Sequence, residues 1–177
     1  FIKDKKIAQN LSDDVDEMEK MLSEYLQFSS STANEKSEKF DLSKLVHSTI
    51  NKYNNKNISV NIMPNLLFVG RKNLIQRCIN NLINNSIKYS EKIEVKVEKL
   101  KKNILIFVED DGPGIPKSEY ENVFKPFYKI DKGRGETKSS VGLGLSISFD
   151  IIRSHGGNIE LGRSNLGGLK TKVFLPI

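Results

Sequence analysis

The sequence predicts a layered α+β protein in which helices pack on one face of a sheet, preceded by a long helix. Residues 93–97 (IEVKV) alternate apolar and polar side chains, whereas 104–108 (ILIFV) are almost wholly apolar. We therefore expect a hairpin whose second strand is the more buried. Residues 72–88 instead repeat their apolar side chains at helical spacing. A chain of 177 residues is long enough to bury one core and carry an appendage.

The first predicted element is a helix over residues 1–28. Its apolar residues form a narrow stripe with a spacing of about 3.5 residues, which is typical of helix bundles. The stripe consists of Ile7, Leu11, Val15, Met18, Leu22 and Tyr25. Such a helix cannot bury its apolar side alone. We expect it to pack against a partner helix or a second copy of the chain; the alternative is that it folds onto its own globular unit.

The remaining elements follow from local patterns. Residues 29–39 are polar and predict a linker, and Asp41 is a suitable N-cap for the helix that follows it. A polar, glycine-rich stretch at 129–140 precedes the last helix. The predicted helices are 42–50, 72–88 and 142–154, and the predicted strands are 58–62, 66–69, 93–97, 104–108, 158–161 and 171–175. The last two strands are expected to form a second hairpin.

Composition and charge argue against several classes of protein. The net charge of +6 permits a nucleic-acid partner. However, the basic residues are scattered among acidic ones, so we expect no nucleic-acid binding. No apolar run approaches the ~20 residues needed to cross a membrane. Cys78 is the single cysteine, which rules out an internal disulfide and suits a reducing compartment. With only two histidines, a metal-hydrolase or Cys–His site is not expected.

Three polar residues share one side of the helix 72–88. Asn81, Asn85 and Lys88 fall within roughly 60° of arc at about 100° per residue. An amide oxygen is a neutral hard ligand, and Mg²⁺ takes few protein ligands beside waters and phosphate oxygens. The pattern therefore suits a clamp for Mg²⁺ and a triphosphate. The alternative is a solvated helix face in an asparagine-rich protein.

The segment 110–115 (DDGPGI) directly follows a buried strand. Asp110 at the strand end can accept a hydrogen bond from the exocyclic amine of adenine. Gly112 and Gly114 let the backbone approach a planar ligand, and Ile115 can pack on the base. The alternative is an ordinary Asp-Gly turn.

Two further segments complete the pattern. Residues 142–145 (GLGL) open a helix, whose N–H groups and positive dipole end favour a phosphate. Phe124 and Phe127 bracket a proline just before the polar stretch and are candidate anchors for a mobile lid, or alternatively plain core residues. No Gly-x-x-x-x-Gly-Lys-Ser/Thr loop is present.

In this order and spacing, the segments 81–89, 110–115, 124–127 and 142–145 resemble the N box, first glycine box, F box and second glycine box of sensor histidine kinases. The resemblance to their ATP-binding domain covers residues 40–177. It implies a two-layer α/β sandwich with a mixed sheet, the Bergerat ATP-binding fold. The segment 108–115 is also similar to the osmosensor kinases typified by EnvZ.

The resemblance implies ATP and Mg²⁺ as ligands. Asn85 would bind Mg²⁺, Lys88 would meet phosphates, Tyr89 would pack near adenine and Asp110 would accept from its amine. The predicted ATP-binding residues are Asn81, Asn85, Lys88, Tyr89, Asp110, Gly112, Gly114, Ile115, Phe127, Lys129, Gly142, Leu143, Gly144 and Leu145. Lys129 stands where the family usually has arginine, which replaces a bidentate phosphate contact by a point charge. Ser140 and Val141 stand where Gly and Thr are common, which could stiffen the lid hinge.

The resemblance also implies a domain order and partners. Residues 1–30 are similar to the second helix of the dimerisation and phosphoacceptor hairpin, 31–39 would be the linker and 40–177 the catalytic ATP-binding domain. Phe1 is not an initiator methionine, so we expect the chain to begin within a longer protein and the acceptor histidine to lie upstream. The expected function is transfer of the ATP γ-phosphoryl to that histidine, then to an aspartate of a response-regulator receiver domain. The parent would be a homodimer in the bacterial inner membrane, with this part cytoplasmic.

Two alternatives differ from the kinase hypothesis. A chaperone-type or mismatch-repair-type ATPase of the same GHKL superfamily would need a water-activating carboxylate in the helix 72–88, where Asn81 and Asn85 stand instead. A dimerisation module without nucleotide would not require all four residues Asn85, Asp110, Gly112 and Gly114. We expect no catalytic residue in this chain, because neither His47 nor His155 is followed by the acidic residue typical of the acceptor.

Overall fold

A computed structural model describes residues 35–53, 57–130 and 142–177, together with residues 7, 11, 12, 15, 16, 18, 19, 22, 23 and 26. The strands in the three continuous ranges are β1 Glu38–Asp41, β2 Asn57–Ile62, β3 Leu67–Gly70, β4 Lys92–Leu100, β5 Asn103–Asp110, β6 Asn158–Arg163 and β7 Leu169–Pro176. The helices are α1 Leu42–Ile50, α2 Lys72–Tyr89 and α3 Gly144–Arg153. Short 3₁₀ turns span Asn51–Tyr53, Lys117–Glu119 and Asn122–Phe124.

Five strands form a mixed sheet in the order β2-β4-β5-β7-β6. β2 runs parallel to β4, and the other neighbours are antiparallel. β5 is central, and it is buried along most of its length whereas β4 alternates buried and exposed residues. The predicted mixed sheet and both predicted hairpins are therefore confirmed.

The core lies between one face of this sheet and the three helices. Val95, Ile106 and Val173 point from the sheet into this layer, where Ile79 of α2 and Ile151 of α3 meet them. The intervening residues of the strands point to the other face, because side chains alternate along a strand. The predicted sandwich of helices on one sheet face is confirmed. Cys78 is buried in this core, and burial raises the pKa of its thiol to about 12.

Helix α1 begins as predicted. The Asp41 carboxylate accepts a 3.1 Å hydrogen bond from the Lys44 N–H, which caps the helix. Within α1, the Ser43 hydroxyl donates to the Met63 carbonyl at 2.7 Å and accepts from the Leu66 N–H at 3.1 Å. These bonds tie α1 to the connection between β2 and β3.

The two strands that flank Pro64 are not paired with each other. β3 pairs with β1 in a separate two-stranded sheet, and β2 joins the large sheet beside β4. Residues 38 and 39, which the sequence assigned to the linker, are the first half of β1. A single polar strand with one buried residue carries too little alternation to be recognised locally; its partner β3 determines its conformation.

Helix α2 has no capping side chain at its own N-cap, Arg71. Its cap comes from Glu35, whose carboxylate accepts from the N–H groups of Asn73 at 2.6 Å and Leu74 at 3.2 Å. The positive end of the helix dipole favours a carboxylate at this point. The polar segment before β1 is thus bonded to the helix that carries the predicted N box.

The described residues between 7 and 26 are helical, as the sequence predicts. Their apolar members are each between 52% and 66% exposed: Ile7, Leu11, Val15, Met18, Leu22 and Leu26. Tyr25, which the sequence places on the same stripe, lies outside the described residues. Within the described part of the chain, no helix is long and apolar enough to cross a membrane.

Candidate functional site

Asp110 ends strand β5 and is only 3% exposed. Its Oδ1 accepts hydrogen bonds from the N–H groups of Gly112 and Leu169, both at 3.0 Å. Its Oδ2 accepts from the Ser86 hydroxyl, also at 3.0 Å. A carboxylate offers about four acceptor positions, so three are filled and one on Oδ2 remains. The side chain is therefore oriented by donors from α2, β7 and its own turn, with capacity for one more.

Two glycines allow the backbone to close around this carboxylate. A Cβ atom on Gly112 would lie 2.7 Å from the Tyr89 carbonyl oxygen. A Cβ atom on Gly168 would lie 2.3 Å from Asp110 Oδ1 and 2.4 Å from the Gly112 nitrogen. No side chain fits at either distance, so both positions need glycine for close approach.

Four of the five asparagines of α2 lie in its second half and form two pairs of neighbours, Asn80 with Asn81 and Asn84 with Asn85. Asn80 and Asn84 each accept from the Tyr53 hydroxyl, at 3.3 and 2.9 Å. Asn81 turns the other way and donates its amide nitrogen to the Gly144 carbonyl at 3.2 Å. The Asn85 amide makes no hydrogen bond with any described residue. Asn80 and Asn84 thus hold Tyr53, whereas Asn81 contacts α3 and Asn85 follows it one helical turn later on α2.

The N-terminus of α3 lies beside Asn81. Gly144 is exposed, and its carbonyl also accepts from the Ser148 hydroxyl at 2.8 Å. The helix has no side-chain cap at its N-cap, Leu143. The first N–H groups of a helix have no partner within the helix, so this end retains donors and a positive dipole. The side chain of Leu143 is buried in the core and that of Leu145 is half-buried.

Phe127 and Gly142 meet at the base of the predicted lid. The Phe127 N–H donates to the Gly142 carbonyl at 3.0 Å, and Gly142 has a φ of 75°. A Cβ atom on Gly142 would lie 2.9 Å from the Phe127 carbonyl carbon, so glycine is required there. Phe127 is 51% exposed, whereas Phe124 stacks on Phe149 of α3 at 4.8 Å between ring centroids. Ser140 and Val141 lie outside the described residues.

The remaining predicted residues are Lys88, Tyr89, Gly114, Ile115 and Lys129. Tyr89 is 44% exposed, and the Lys88 ammonium lies 5.0 Å from its ring centroid. Gly114 has a φ of 68° and packs on the Gly168 backbone. Ile115 is half-buried directly after it, and Lys129 is exposed beyond Phe127.

The family of the chain follows from its similarity to known proteins. Residues 70–177 match the family of histidine kinase-, DNA gyrase B- and HSP90-like ATPases. The chain belongs to this ATPase family. Within it, the relatives are sensor histidine kinases: CpxA of Escherichia coli (strain K12) is 36% identical over 124 residues, and GtrS of Pseudomonas aeruginosa is 30% identical over 179. These alignments cover 69% and 99% of this chain but only 27% and 37% of CpxA and GtrS.

Solved kinase structures share the fold. The catalytic domain of the histidine kinase ThkA has a TM-score of 0.68 at 26% identity, over 80% of this chain and 95% of that domain. The histidine kinase domain of the E. coli osmosensor EnvZ has a TM-score of 0.62 at 29% identity, over 79% of this chain and 88% of that domain. The predicted family and fold are confirmed. The region that includes residues 70–177 is an ATP-binding catalytic domain of the sensor histidine kinase type.

Three residues beside Asp110 in this ATPase domain were not predicted. Ser86 and Leu169 donate hydrogen bonds to the carboxylate, and Gly168, which has no side chain, leaves room for it. Ser86 lies between Asn85 and Lys88, but a serine in a helix gives no sign of its partner.

Asp111 contributes differently: its Oδ1 accepts from the N–H groups of Glu91 and Lys92 at 2.9 Å, which lowers the pKa of its carboxyl.

His155 is engaged at both ring nitrogens. Its Nδ1 lies 2.7 Å from the Ile151 carbonyl, and its Nε2 accepts from the Arg71 N–H at 3.1 Å. This arrangement requires the neutral ring with the proton on Nδ1. Burial lowers the pKa of His155, and the nearby Arg71 lowers it further. The ring joins α3 to the start of α2.

A shallow cavity of about 260 Å³ lies elsewhere. Its lining includes Glu109, which points away from Asp110 because neighbouring residues of a strand face opposite sides. The cavity is therefore on the sheet face opposite Asp110 and is separate from the candidate site. It is lined by Ser59, Val60, Asn61, Glu94, Lys96, Phe107 and Glu109.

Proposed function

We propose that this chain is the catalytic part of a two-component sensor histidine kinase, which binds Mg·ATP and presents the γ-phosphoryl to a histidine outside the chain. The observation that supports this most directly is the Asp110 carboxylate. It is buried, held by three donors, and retains one acceptor position on Oδ2. Its unused acceptor position suits the exocyclic amine of adenine.

The phosphates would extend from Asp110 toward α3. The two glycine segments contact the same helix: Gly112 lies against Tyr89, and Gly144 lies against Asn81, two turns earlier in α2. An ATP molecule with its base at Asp110 would run along α2 and reach the uncapped N-terminus of α3 with its phosphates. The N–H groups and dipole of that helix end stabilise negative charge.

Mg²⁺ fits this arrangement through Asn85. Its amide makes no hydrogen bond with the described residues, and it lies one turn from Asn81 on the side that faces α3. Mg²⁺ commonly takes one or two protein ligands and fills its other positions with water and phosphate oxygens. When bound, the ion neutralises phosphate charge; Asn85 and Lys88 would orient the triphosphate. Lys129 would add a point charge at the lid.

The exposed apolar stripe supports the proposed domain order. Residues 1–30 would form one helix of a dimerisation hairpin, 31–39 the linker and 40–177 the catalytic domain. Six apolar side chains between residues 7 and 26 are more than half exposed, so a second helix or a second chain would bury them. The physiological partner after phosphotransfer would be a response-regulator receiver domain.

Radiolabelled ATP with Mg²⁺ tests the proposal. The chain alone should remain unlabelled, because both nitrogens of His155 are occupied and His47 lies on α1 outside the site. A separate kinase fragment that carries an acceptor-histidine hairpin should become labelled slowly, since the two proteins must meet in solution. The Asp110→Asn variant should reduce that labelling. Acid-labile label on His47 or His155, or no labelling of any acceptor fragment despite ATP binding, would contradict the proposal.

A further inference from the structure

Glu109 precedes Asp110 on β5 and points to the opposite face of the sheet. Its Oε2 accepts from the Ser164 hydroxyl at 3.0 Å and from the Asn165 N–H at 3.3 Å. Its Oε1 forms an ion pair with the Lys170 ammonium at 2.8 Å. Glu109 therefore holds the turn between β6 and β7 at both of its ends.

That turn, residues 164–168, is closed by its own bonds. The Ser164 N–H donates to the Gly168 carbonyl at 3.0 Å, and the Gly167 N–H donates to the Ser164 carbonyl at 3.1 Å. The Ser164 hydroxyl, which donates to Glu109, also accepts from the Leu166 N–H at 3.0 Å. A displacement of Ser164 would therefore move the whole turn.

The far end of the same turn reaches Asp110. The Gly168 N–H donates to the Asp110 carbonyl at 3.0 Å, and the Leu169 N–H donates to Asp110 Oδ1 at 3.0 Å. One bond to the Asp110 backbone and one to its carboxylate thus come from the end of the turn that is anchored on Glu109 and from the residue after it. The two acidic residues are neighbours in the chain and are linked a second time, through the turn.

We propose that Glu109 and the 164–168 turn act as a bracket that orients the Asp110 carboxylate, and that Glu109 is thereby a positioning residue for recognition of the adenine amine. This inference rests on the proposed role of Asp110. Oδ1 is saturated by the Gly112 and Leu169 N–H groups, which directs the free acceptor position of Oδ2 away from the turn. Loss of the Leu169 bond would let the carboxylate rotate. The site would then discriminate less well between an amine and other substituents at position 6 of the purine.

The charge state of Glu109 supports this role. Burial raises the pKa of its carboxyl, but the bonds from Lys170, Ser164 and Asn165 outweigh burial and hold the pKa below its usual value. The acceptors of the bracket are therefore ionised at neutral pH, and charge-assisted bonds are the stronger kind.

The chain offers a matched control on the same face. Glu94 is the cross-strand neighbour of Glu109 on β4 and points to the same side. Glu94 is exposed, and it makes no hydrogen bond or ion pair among the described residues. Glu94→Gln removes the same charge from the same surface without touching the bracket.

The test compares ATP with purine riboside triphosphate, which lacks the 6-amine, by calorimetric titration of the whole chain. A charge-assisted bond predicts that wild type prefers ATP by about ten- to hundredfold. Glu109→Ala and Ser164→Ala should each lower that preference by about threefold or more, with little change in affinity for the analogue. Glu109→Gln keeps an oxygen acceptor for Ser164 and should restore most of the preference. Glu94→Gln should match wild type.

The outcomes separate this inference from the proposed function. If wild type prefers ATP and Asp110→Asn removes the preference, but Glu109→Ala and Ser164→Ala retain it, the bracket is overturned and the role of Asp110 stands. Equal loss of affinity for both nucleotides in these variants also overturns the bracket, because it indicates a general effect on folding. If wild type shows no preference for the amine, the role of Asp110 fails, and this inference fails with it.

Discussion

The Ser86 hydroxyl and the Asp110 carboxylate are joined by a 3.0 Å hydrogen bond between residues 24 positions apart. Both side chains are buried, and the bond connects the last turn of α2 to the end of the central strand β5. Because one lone-pair position of Oδ2 remains, this bond orients the carboxylate without consuming its capacity for a ligand.

Ser86→Ala should lower both stability and ATP affinity. It removes the only side-chain donor to Asp110 among the described residues, and a hydrogen bond to a charged group contributes about 1.5–3 kcal/mol. We expect the free energy of unfolding in urea to fall by about that amount. Ser48→Ala, on the exposed side of α1, is the control and should change neither quantity. An unaltered ATP affinity in Ser86→Ala would show that this bond does not prepare the site.

Asp110→Asn should weaken ATP binding while the fold persists. The amide oxygen can still accept from Gly112 and Leu169, but its nitrogen then faces the adenine amine as a second donor. We expect a loss of about 1.5–3 kcal/mol in calorimetric titrations. Asp111→Asn is the matched control: Asp111 bonds only the backbone of the turn at 91–92, so that variant should lose stability but keep ATP affinity. Equal effects of the two variants on ATP affinity would argue against the assigned contact.

Asn85→Ala should weaken ATP binding chiefly when Mg²⁺ is present, because its amide oxygen is the proposed ligand. Asn84→Ala removes a neighbouring amide that bonds Tyr53 instead, so it should leave the Mg²⁺ dependence unchanged. Titrations with ATP in magnesium and in excess chelator measure the difference. A loss in Asn85→Ala that is the same in both conditions would mean that Asn85 is not a metal ligand.

Gly168→Ala should disrupt the site, since its Cβ would lie 2.3 Å from Asp110 Oδ1 and 2.4 Å from the Gly112 nitrogen. Overpacking of this kind costs about 1–3 kcal/mol, and here it also displaces the carboxylate. Gly162→Ala on β6 meets nothing within 4 Å and provides the control. Thermal unfolding and ATP titration of both variants check this. Gly168→Ala with normal stability and affinity would refute the close packing.

The lowered pKa of His155 predicts that the stability of the fold changes with pH. Its pKa is lowered in the folded state, so the unfolded state binds more protons as the pH falls below about 6.5. The stabilisation is therefore present above that pH and is lost as the pH falls toward the folded pKa. The melting temperature should decline between about pH 7.5 and pH 5.5, and His155→Gln, which can still accept from Arg71, should decline less. Parallel pH profiles for the two proteins would contradict this.

Local pattern was sufficient for much of the fold and for part of the site. Helical spacing in α2 and alternation in β4 report which side of each element is buried, and the glycines at 112 and 142 mark backbone approaches that no side chain permits. The family of ATPases was recognisable because these short segments recur in a fixed order. The strand β1 was missed, since its four residues carry almost no pattern of their own.

The sequence by itself determined the helices, the strands β2 to β7, the sandwich class and the candidate nucleotide-binding residues, because these depend on periodicity and on chemistry within a few neighbouring positions. Only the tertiary structure decided which distant segments contact each other. It paired β2 with β4 rather than β3, joined Ser86 and Leu169 to Asp110, placed Glu35 on the start of α2 and separated Asn84 from Asn85. Hydrogen bonds between distant segments depend on how elements pack in space, and the spacing of residues along one element contains no information about the element that will face it.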